Sequence, residues 1–369
     1  MTSLSCLKRR AFLATLTAAS LGLAVSCAPT STDVSTSPTS GAPTSPQAGG
    51  GGSTVTLSGA GASFPAPLYQ RWFADYNKEN SNVQISYQSV GSGAGVEQFL
   101  AGTVDFGASD APLKDEEREK FKAANNGADP IQVPMTSGSI VFAYNLDGVD
   151  ELKLSRNAYC GIVTGEISNW NDPAIASSNQ GVTLPDEPIQ WVYRSDGSGT
   201  TFGFTTHLAA ACPNWTAGAD KSVEWATGTG AKGNEGITAQ LQQTPGALGY
   251  VEFSYARENG LKMAAIENKA GNIIEPSPES GALAFKGETV PPDFALIVAD
   301  PSDAQAYPIT TLTWMLFYPG YSDAAKADAI KNVVTWALTD GKAGAEELGY
   351  IPIDEELATK VQDAVAQIK

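Results

Sequence analysis

The residue types best suited to binding chemistry are concentrated in one loop, residues 194–200, with the sequence Arg-Ser-Asp-Gly-Ser-Gly-Thr. The alternating apolar run 189–193 predicts a strand before this loop, and residues 200–211 are predicted to form the helix after it. The first N–H groups of a helix lack partners within the helix and carry a partial positive charge, so a helix start attracts anions. The loop therefore predicts an anion-binding site.

The side chains of this loop add charge and further donors. Arg194 can present a forked positive charge to the oxygens of an oxyanion, while Ser198 and Thr200 bring hydroxyl donors. Gly199 allows the backbone to approach a ligand closely, and Asp196 is expected to orient the Arg194 guanidinium. An ordinary glycine-rich turn with a Ser/Thr helix cap is the alternative interpretation.

Two further glycine-rich turns, 59–65 and 91–95, repeat this arrangement, with Ser63 at the predicted N-cap of one helix and Ser92 just before another. Asp110 follows a brief apolar strand. Because ligands bind at the carboxyl edge of open α/β sheets, we expect the three turns and Asp110 to meet there. The combination of three such turns with Asp110 and one Arg favours an oxyanion site over a chance occurrence of glycine-rich turns.

The rest of the chain alternates strands with helices, which indicates α/β architecture. The aromatic stripe of the first helix, formed by Trp72, Phe73 and Tyr76, is expected in the core. A hairpin-like turn is predicted over 245–251. We predict strands over 55–58, 83–87, 104–108 and 140–144, and helices over 65–77, 96–100, 115–124, 157–164, 237–243, 323–338 and 354–368.

Length and charge restrict the class of protein. The chain has 369 residues, more than the roughly 250 to 300 over which a single hydrophobic core keeps growing, so about two lobes are expected. The net charge of −17 argues against nucleic acid and against an anionic membrane face as partners. A buried group of N–H donors with one Arg can still bind an anion, because it acts locally.

The N-terminus predicts export. Residues 1–26 combine a basic triplet with a short apolar stretch, as signal peptides do, and the arginine pair resembles a twin-arginine signal. Cys27 follows a lipoprotein-like cleavage box and is expected to carry a lipid; an ordinary signal peptide cut nearby is the alternative. Residues 27–53, rich in Ser, Thr, Pro and Gly, are expected to form a flexible tether.

The cysteines fall into two groups. Cys6 and Cys27 lie near the N-terminus, which leaves Cys160 and Cys212 in the body of the protein. In an exported chain this pair favours a disulfide over two buried free thiols. The sequence lacks Cys-x-x-Cys spacing, which argues against a structural zinc site.

Several long motifs resemble those of one family. They read GAGASFPAP at 59–67, VDFGASDAPL at 104–113 and DGSGT at 196–200, and the match continues with KGNEGI at 232–237 and PGALGYVE at 245–252. In this order they resemble the PstS family, the periplasmic phosphate-binding proteins of high-affinity phosphate ABC transporters. The resemblance covers nearly the whole chain from about residue 54 onward.

The resemblance implies an α/β, two-lobe, class II-like periplasmic-binding-protein fold with two hinge crossings and a ligand cleft between the lobes. Lobe I would comprise residues 54–137 with 310–369, and lobe II residues 138–309. One phosphate would be enclosed between them, and permease subunits would distinguish the closed form. The residues that the family assigns to phosphate are Ser63, Phe64, Ser92, Asp110, Arg194, Ser198, Gly199 and Thr200, with Asp196 holding Arg194.

Asp110 carries the selectivity in this interpretation. A carboxylate repels an anion unless the ligand brings a proton, and near neutral pH phosphate carries protons while sulfate carries none. Sites built around such a hydrogen bond can reject an analogue by factors of ~10⁴ to 10⁵. A helix-capping role for Asp110 is the alternative.

Other functions are conceivable for the same residues. A serine hydrolase or phosphatase would use Ser198 with the single histidine, His207, which lies seven residues beyond Thr200 and is therefore badly placed. We expect His207 to be a surface or packing residue. A metallophosphatase would need clusters of His and Asp at the spacing of metal ligands, and the sequence lacks them. A receptor or scavenger for a related oxyanion such as arsenate is the stronger rival. We expect a monomeric binding protein without cofactor, not an enzyme.

Overall fold

The computed structural model describes residues 54–369, which belong to one compact unit. The predicted signal peptide at 1–26, the tether at 27–53 and the lipid site at Cys27 lie outside the described residues. Within residues 54–369, no helix combines the length and the apolar character that crossing a bilayer requires.

Strands and helices alternate along most of the described chain. The strands are β1 (Val55–Gly61), β2 (Val83–Ser89), β3 (Phe106–Ser109), β4 (Ile131–Asn145), β5 (Lys153–Leu154), β6 (Gln190–Arg194), β7 (Thr229–Ala231), β8 (Ala247–Glu252), β9 (Lys262–Met263), β10 (Ala265–Glu267), β11 (Ile273–Ile274) and β12 (Thr310–Phe317). The helices are α1 (Ala66–Glu79), α2 (Ser92–Leu100), α3 (Asp115–Ala124), α4 (Arg156–Thr164), α5 (Pro173–Ala176), α6 (Gly199–Ala211), α7 (Gly233–Gln243), α8 (Phe253–Glu258), α9 (Pro278–Ala282), α10 (Ala324–Leu338), α11 (Lys342–Glu347) and α12 (Glu355–Val365).

One mixed sheet organises the fold, with the strand order β2-β1-β3-β12-β4-β8-β6-β7 and β9 added to β4. At one end β1 runs parallel to β2 and β3, and at the other β6 runs parallel to β7 and β8. The middle strands β12 and β4 are antiparallel to their neighbours. Two parallel groups of strands are therefore joined through an antiparallel centre, which confirms the α/β prediction.

The long strand β4 divides the sheet into two halves. It pairs with β12 as far as Ser139 and with β8 from Ile140 onward. The chain returns to the first half at Thr310, where β12 begins, and the Ile140 backbone N–H donates to the Ile309 carbonyl at 2.8 Å. Two neighbouring chain crossings thus connect the halves.

The hairpin-like turn predicted over 245–251 is wrong. These residues contribute to β8, which pairs with β4 and β6, strands that lie far away in the sequence. The strand predicted over 140–144 is also too short, since β4 has 15 residues and is buried over nearly its whole length. A strand covered on both faces carries no alternating pattern to show where it begins.

The first helix confirms its predicted core face. In α1 the side chains of Trp72, Phe73 and Tyr76 are all buried. Tyr69 stacks on Trp72 with 5.8 Å between ring centroids, and Phe73 meets Phe106 edge to face. The contact with Phe106 of β3 packs the buried face of α1 against the sheet.

Cys160 in α4 and Cys212 at the end of α6 form a disulfide, which confirms their expected pairing. The bond closes a loop with a sequence separation of 52 residues. We expect the double variant Cys160→Ala/Cys212→Ala to lose about 2–4 kcal/mol of unfolding free energy, because the unfolded chain gains the freedom of that loop. Chemical denaturation of the oxidised protein and of the variant measures the loss.

Ligand affinity should not change in this variant, because Cys212 lies a whole helix away from the start of α6. Wild-type protein treated with a reductant is the control and should match the variant. Equal stability of oxidised wild type and variant would contradict the stabilising role of the bond.

Candidate functional site

Several helices begin around one buried cluster of polar side chains. Ser92 and Gly199 are the first residues of α2 and α6, and Ser63 lies in the turn before α1. Asp110 follows β3, and Arg194 ends β6. The polar side chains of this group are each at most 4% exposed. The structure therefore brings together the glycine-rich turns that were noted separately in the sequence.

Arg194 supplies the positive charge of the cluster. Its Nε donates to Asp196 Oδ1 at 2.8 Å and its Nη2 donates to Asp196 Oδ2 at 2.6 Å. Burial opposes ionisation of Asp196, but the hydrogen bonds and charge of Arg194 outweigh it and hold the pKa of Asp196 below its usual value. Asp196 also accepts from the Gly233 N–H at 3.1 Å. The carboxylate therefore fixes the guanidinium while the Nη1 group extends to Thr200 Oγ1 at 3.3 Å.

The starts of α2 and α6 touch each other. Ser92 Oγ accepts hydrogen bonds from the backbone N–H of Asp110 at 3.2 Å and from that of Gly199 at 3.0 Å. The Gly93 N–H donates to the Gly197 carbonyl at 2.8 Å. A Cβ placed on Gly199 would lie 2.5 Å from Ser92 Oγ and 2.6 Å from Asp110 Cβ. Only glycine at position 199 permits this approach.

Asp110 is the acidic member of the cluster. Its Oδ1 accepts from Thr313 Oγ1 at 2.7 Å, and its Oδ2 lies 3.4 Å from Ser92 Oγ. Burial raises the pKa of Asp110 to about 7, against the opposing effects of the Thr313 hydrogen bond and the Arg194 charge. Near neutral pH this carboxyl can therefore accept or donate a proton.

Ser198 caps the helix α6. Its Oγ accepts from the Thr201 N–H at 3.0 Å, and its own N–H donates to the Lys221 carbonyl at 2.8 Å. The cap leaves the hydroxyl proton of Ser198 available for another acceptor. Thr200, one residue inside the helix, is fully buried.

The turn before α1 is held by two tyrosines. Tyr255 donates its hydroxyl to the Ser63 carbonyl at 2.7 Å, and Tyr350 donates to the Phe64 carbonyl at 2.6 Å. Phe64 itself is fully buried. Beneath this turn lies Glu252, whose pKa is raised to about 8 by burial against the hydrogen bonds that Ser254 donates. A neutral carboxyl there adds no negative charge beside an anion site.

Two residues of the cluster were missed by the sequence analysis. Asn234, in the first turn of α7, donates from Nδ2 to Ser63 Oγ at 2.9 Å and to Thr200 Oγ1 at 3.0 Å. Thr313 in β12 donates to Asp110. The glycine-rich sequence around Asn234 was a usable signal, because it predicts the start of another helix. Thr313 lies in an apolar strand that gives no such signal.

His207 takes no part in this cluster. Its Nε2 lies 3.1 Å from the Tyr159 hydroxyl and its Nδ1 lies 3.0 Å from the Ala299 carbonyl. Both ring nitrogens are thus occupied within the protein, and the residue is buried, which agrees with a packing role. Across residues 54–369, no group of three or more His, Cys, Asp or Glu side chains could hold a metal ion.

The cluster combines one guanidinium, several hydroxyls and the starts of helices with two carboxyl groups, of which Asp196 is paired with Arg194 and Asp110 is not. Such a set of donors stabilises an oxyanion, and Asp110 adds the one acceptor. The arrangement fits a small tetrahedral anion that retains at least one proton.

Comparison with known proteins identifies the family. A model of the PBP superfamily domain matches residues 37–341. The phosphate-binding protein PstS of Pasteurella multocida is 40% identical over 313 residues, covering 83% of this chain and 89% of the relative. The phosphate-binding protein PstS of Methanocaldococcus jannaschii is 37% identical over 343 residues, with coverage of 86% and 87%. The chain belongs to the PstS family.

Solved structures show the same fold as this PstS-family chain. A high-affinity periplasmic phosphate-binding protein, PfluDING, solved bound with phosphate, superposes with a TM-score of 0.72 at 23% identity, covering 84% of this chain and 93% of that one. The phosphate-binding protein of Stenotrophomonas maltophilia gives a TM-score of 0.68 at 21% identity, with coverage of 85% and 94%. The PstS-family chain therefore has the two-lobe periplasmic-binding-protein fold.

Proposed function

We propose that this PstS-family protein binds inorganic phosphate outside the plasma membrane and delivers it to the permease subunits of a phosphate ABC transporter. The buried cluster carries the proposal, because it surrounds the Asp110 carboxyl group with a guanidinium and hydroxyl donors. The relatives named as phosphate-binding proteins support the same ligand. Their names describe binding rather than catalysis, and the protein is not an enzyme.

The geometry of the cluster supports a specific set of proposed ligand contacts. Arg194 offers the charge, while hydroxyls and helix-start N–H groups donate to the remaining phosphate oxygens. The Gly199 N–H, which donates to Ser92 Oγ at 3.0 Å, would exchange that acceptor for phosphate. We assign phosphate binding to Ser63, Phe64, Ser92, Asp110, Arg194, Ser198, Gly199 and Thr200, with Asp196 orienting Arg194. Burial of these groups excludes water, which strengthens each charge-assisted hydrogen bond.

Selection of phosphate over sulfate is assigned to Asp110. In its carboxylate form Asp110 accepts a hydrogen bond from a protonated phosphate oxygen, whereas sulfate has no proton to donate at neutral pH. Sulfate would leave two negative groups in contact in a buried site, and such an unpaired contact is strongly unfavourable.

Phosphate is proposed to favour the closed arrangement of the lobes. Ser92 comes from the first half of the sheet and Gly199 from the second, and their direct hydrogen bond belongs to a closed form. We place lobe I at residues 54–137 with 310–369 and lobe II at 138–309, which agrees with the change of pairing along β4. A ligand that contacts both lobes stabilises closure, and a permease can recognise that form.

Export, lipid attachment at Cys27 and a tether over residues 27–53 complete the proposal. A tethered monomer would move over the outer face of the membrane while its body binds phosphate. Mass measurement of the protein after detergent extraction tests the lipid, since a diacyl group adds a defined mass at Cys27.

Calorimetric titration tests the binding function. The purified protein is first stripped of bound anion and then titrated with phosphate and separately with sulfate. One-to-one phosphate binding without sulfate binding is the expected result. Absence of both heat and thermal stabilisation on adding phosphate would overturn the proposed ligand.

Gly199→Ala is expected to weaken phosphate binding by blocking closure. The added Cβ collides with Ser92 and Asp110 across the two halves. Overpacking of this kind costs about 1–3 kcal/mol, which corresponds to roughly 5- to 150-fold weaker binding. Titration calorimetry gives the affinity, and small-angle scattering reports compaction.

The matched control is Gly236→Ala, because a Cβ at that helical position meets nothing closer than 3.7 Å. This variant should bind and compact like wild type. Unchanged phosphate affinity in Gly199→Ala would show that the contact between Ser92 and Gly199 is not needed for binding.

A further inference from the structure

We infer that Asn234 is a positioning residue that forces the hydroxyls of Ser63 and Thr200 to act as donors toward the bound oxyanion. The inference rests on the proposed phosphate function and extends it to a residue outside the assigned ligand set. Asn234 acts through the two hydroxyls.

Asn234 reaches both hydroxyls with one amide group. It is fully buried in the first turn of α7, and its Nδ2 lies 2.9 Å from Ser63 Oγ and 3.0 Å from Thr200 Oγ1. The backbone N–H of Asn234 also donates to Ser63 Oγ, at 3.0 Å. Each hydrogen of the side-chain amide thus has its own hydroxyl partner.

A hydroxyl group has one proton to donate and two lone pairs that accept. Both lone pairs of Ser63 Oγ are used by donors from Asn234. Those of Thr200 Oγ1 are used by Asn234 Nδ2 and by Arg194 Nη1 at 3.3 Å. What remains on each oxygen is its proton. Within residues 54–369, neither hydroxyl donates to a protein acceptor, so both protons are left for the ligand.

The backbone of Glu252 fixes the orientation of the Asn234 side-chain amide. Asn234 Oδ1 accepts from the Glu252 backbone N–H at 3.0 Å. A flipped amide would place its NH₂ group against that N–H, two donors facing each other, which is unfavourable in a buried site. The NH₂ group of Asn234 therefore faces the hydroxyls.

The two hydroxyls belong to opposite halves of the molecule. Ser63 follows β1 in the first half, while Thr200 and Asn234 lie in α6 and α7 of the second. The amide can hold both hydroxyls only when the halves are together. Asn234 therefore holds two hydroxyl donors in position in the closed form. A phosphate oxygen then does not have to compete with other acceptors for their protons.

Changing the polarity of this amide without changing its shape provides the test. In Asn234→Asp the introduced carboxylate accepts from the two hydroxyls, turns their protons away from the ligand and adds a negative charge. In Asn234→Ala the hydroxyls lose their partner and can rotate. Phosphate affinity, measured by titration calorimetry, should fall about 10-fold for Asn234→Ala and about 100-fold or more for Asn234→Asp.

The hydroxyls themselves supply the decisive comparison. Asn234→Ala is repeated in the Ser63→Ala/Thr200→Val background, where neither hydroxyl exists. If Asn234 acts through them, it should have no further effect on phosphate affinity there. This comparison does not require Asn234→Asp to fold. A matched control is Asn179→Ala, which removes a buried amide from the 2.7 Å bond to the Lys153 carbonyl and should lower stability without lowering affinity.

The pH profile adds a readout that a structural role would not move. The phosphate affinity of Asn234→Asp relative to wild type at the same pH should recover in part as pH falls, because protonation removes the added charge, while titration of phosphate and of Asp110 occurs in both proteins. Wild-type binding of phosphate establishes the function independently of this series. With wild type binding phosphate, equal affinities of Asn234→Ala and Asn234→Asp, or a full effect of Asn234→Ala in the double background, would overturn the role of Asn234.

Discussion

Arg194→Gln is expected to weaken phosphate binding by roughly 30- to 5,000-fold, because truncating one partner of a buried, hydrogen-bonded charge pair costs about 2–5 kcal/mol. The glutamine retains some donor capacity but carries no charge. It also leaves the Asp196 carboxylate, only 12% exposed, without its forked partner beside the incoming anion. Loss of attraction and gain of repulsion act in the same direction.

The double variant Arg194→Gln/Asp196→Asn separates the two effects. Removing the orphaned carboxylate should restore much of the thermal stability, while phosphate affinity should stay far below wild type because the positive charge is still missing. Calorimetric titration and thermal melting report the two quantities. Wild-type affinity in the double variant would show that Arg194 serves only to neutralise Asp196.

Asp110→Asn is expected to reduce the discrimination between phosphate and sulfate by about 10²-fold or more, out of the ~10⁴ that such a site can reach. The amide keeps the shape of the carboxyl group and can donate to a sulfate oxygen, so sulfate binding should become measurable. Phosphate should bind roughly 10- to 100-fold more weakly, since a hydrogen bond to a charged group is lost. Parallel titrations with the two anions measure both changes.

The same residue predicts the pH dependence of sulfate binding. Burial raises the pKa of Asp110 to about 7, so the carboxyl becomes protonated as the pH falls below neutrality. A protonated carboxyl can donate to sulfate, and sulfate affinity of wild type should therefore rise between pH 8 and pH 5. Asp110→Asn should show a flat profile. A flat profile in wild type would exclude titration of Asp110 as the basis of selection.

Local features of this fold were accessible from sequence because their causes are local. The helix predicted over 115–124 has the bounds of α3, where three acidic residues of the first turn suit the helix dipole. Ser198 caps α6 through a bond to Thr201, only three residues away. Such signals depend on neighbours along the chain, so a single sequence contains them.

The contacts that complete the site are distant along the chain and left weaker signals. Ser63 and Asn234 are separated by 171 positions, and Asp110 and Thr313 by 203. Their meeting depends on the order of strands in the sheet, which hydrophobic patterns do not encode. Asn234 could be recognised as lying at a helix start, but its partners could be identified only once α1, α6 and α7 were positioned.

Because the pairing of β4 changes at Ile140, residues 140–309 are an insertion between the two segments that form the first half of the sheet. Residues 140–309 form a continuous segment whose ends are already in contact, because the Ile140 N–H donates to the Ile309 carbonyl. We expect that this segment can be exchanged for the corresponding segment of a relative, because its two junctions with the rest of the chain lie only a few ångströms apart. Chimaeras joined there would exchange Arg194, Thr200 and Asn234 together and leave Ser63 and Asp110 in place.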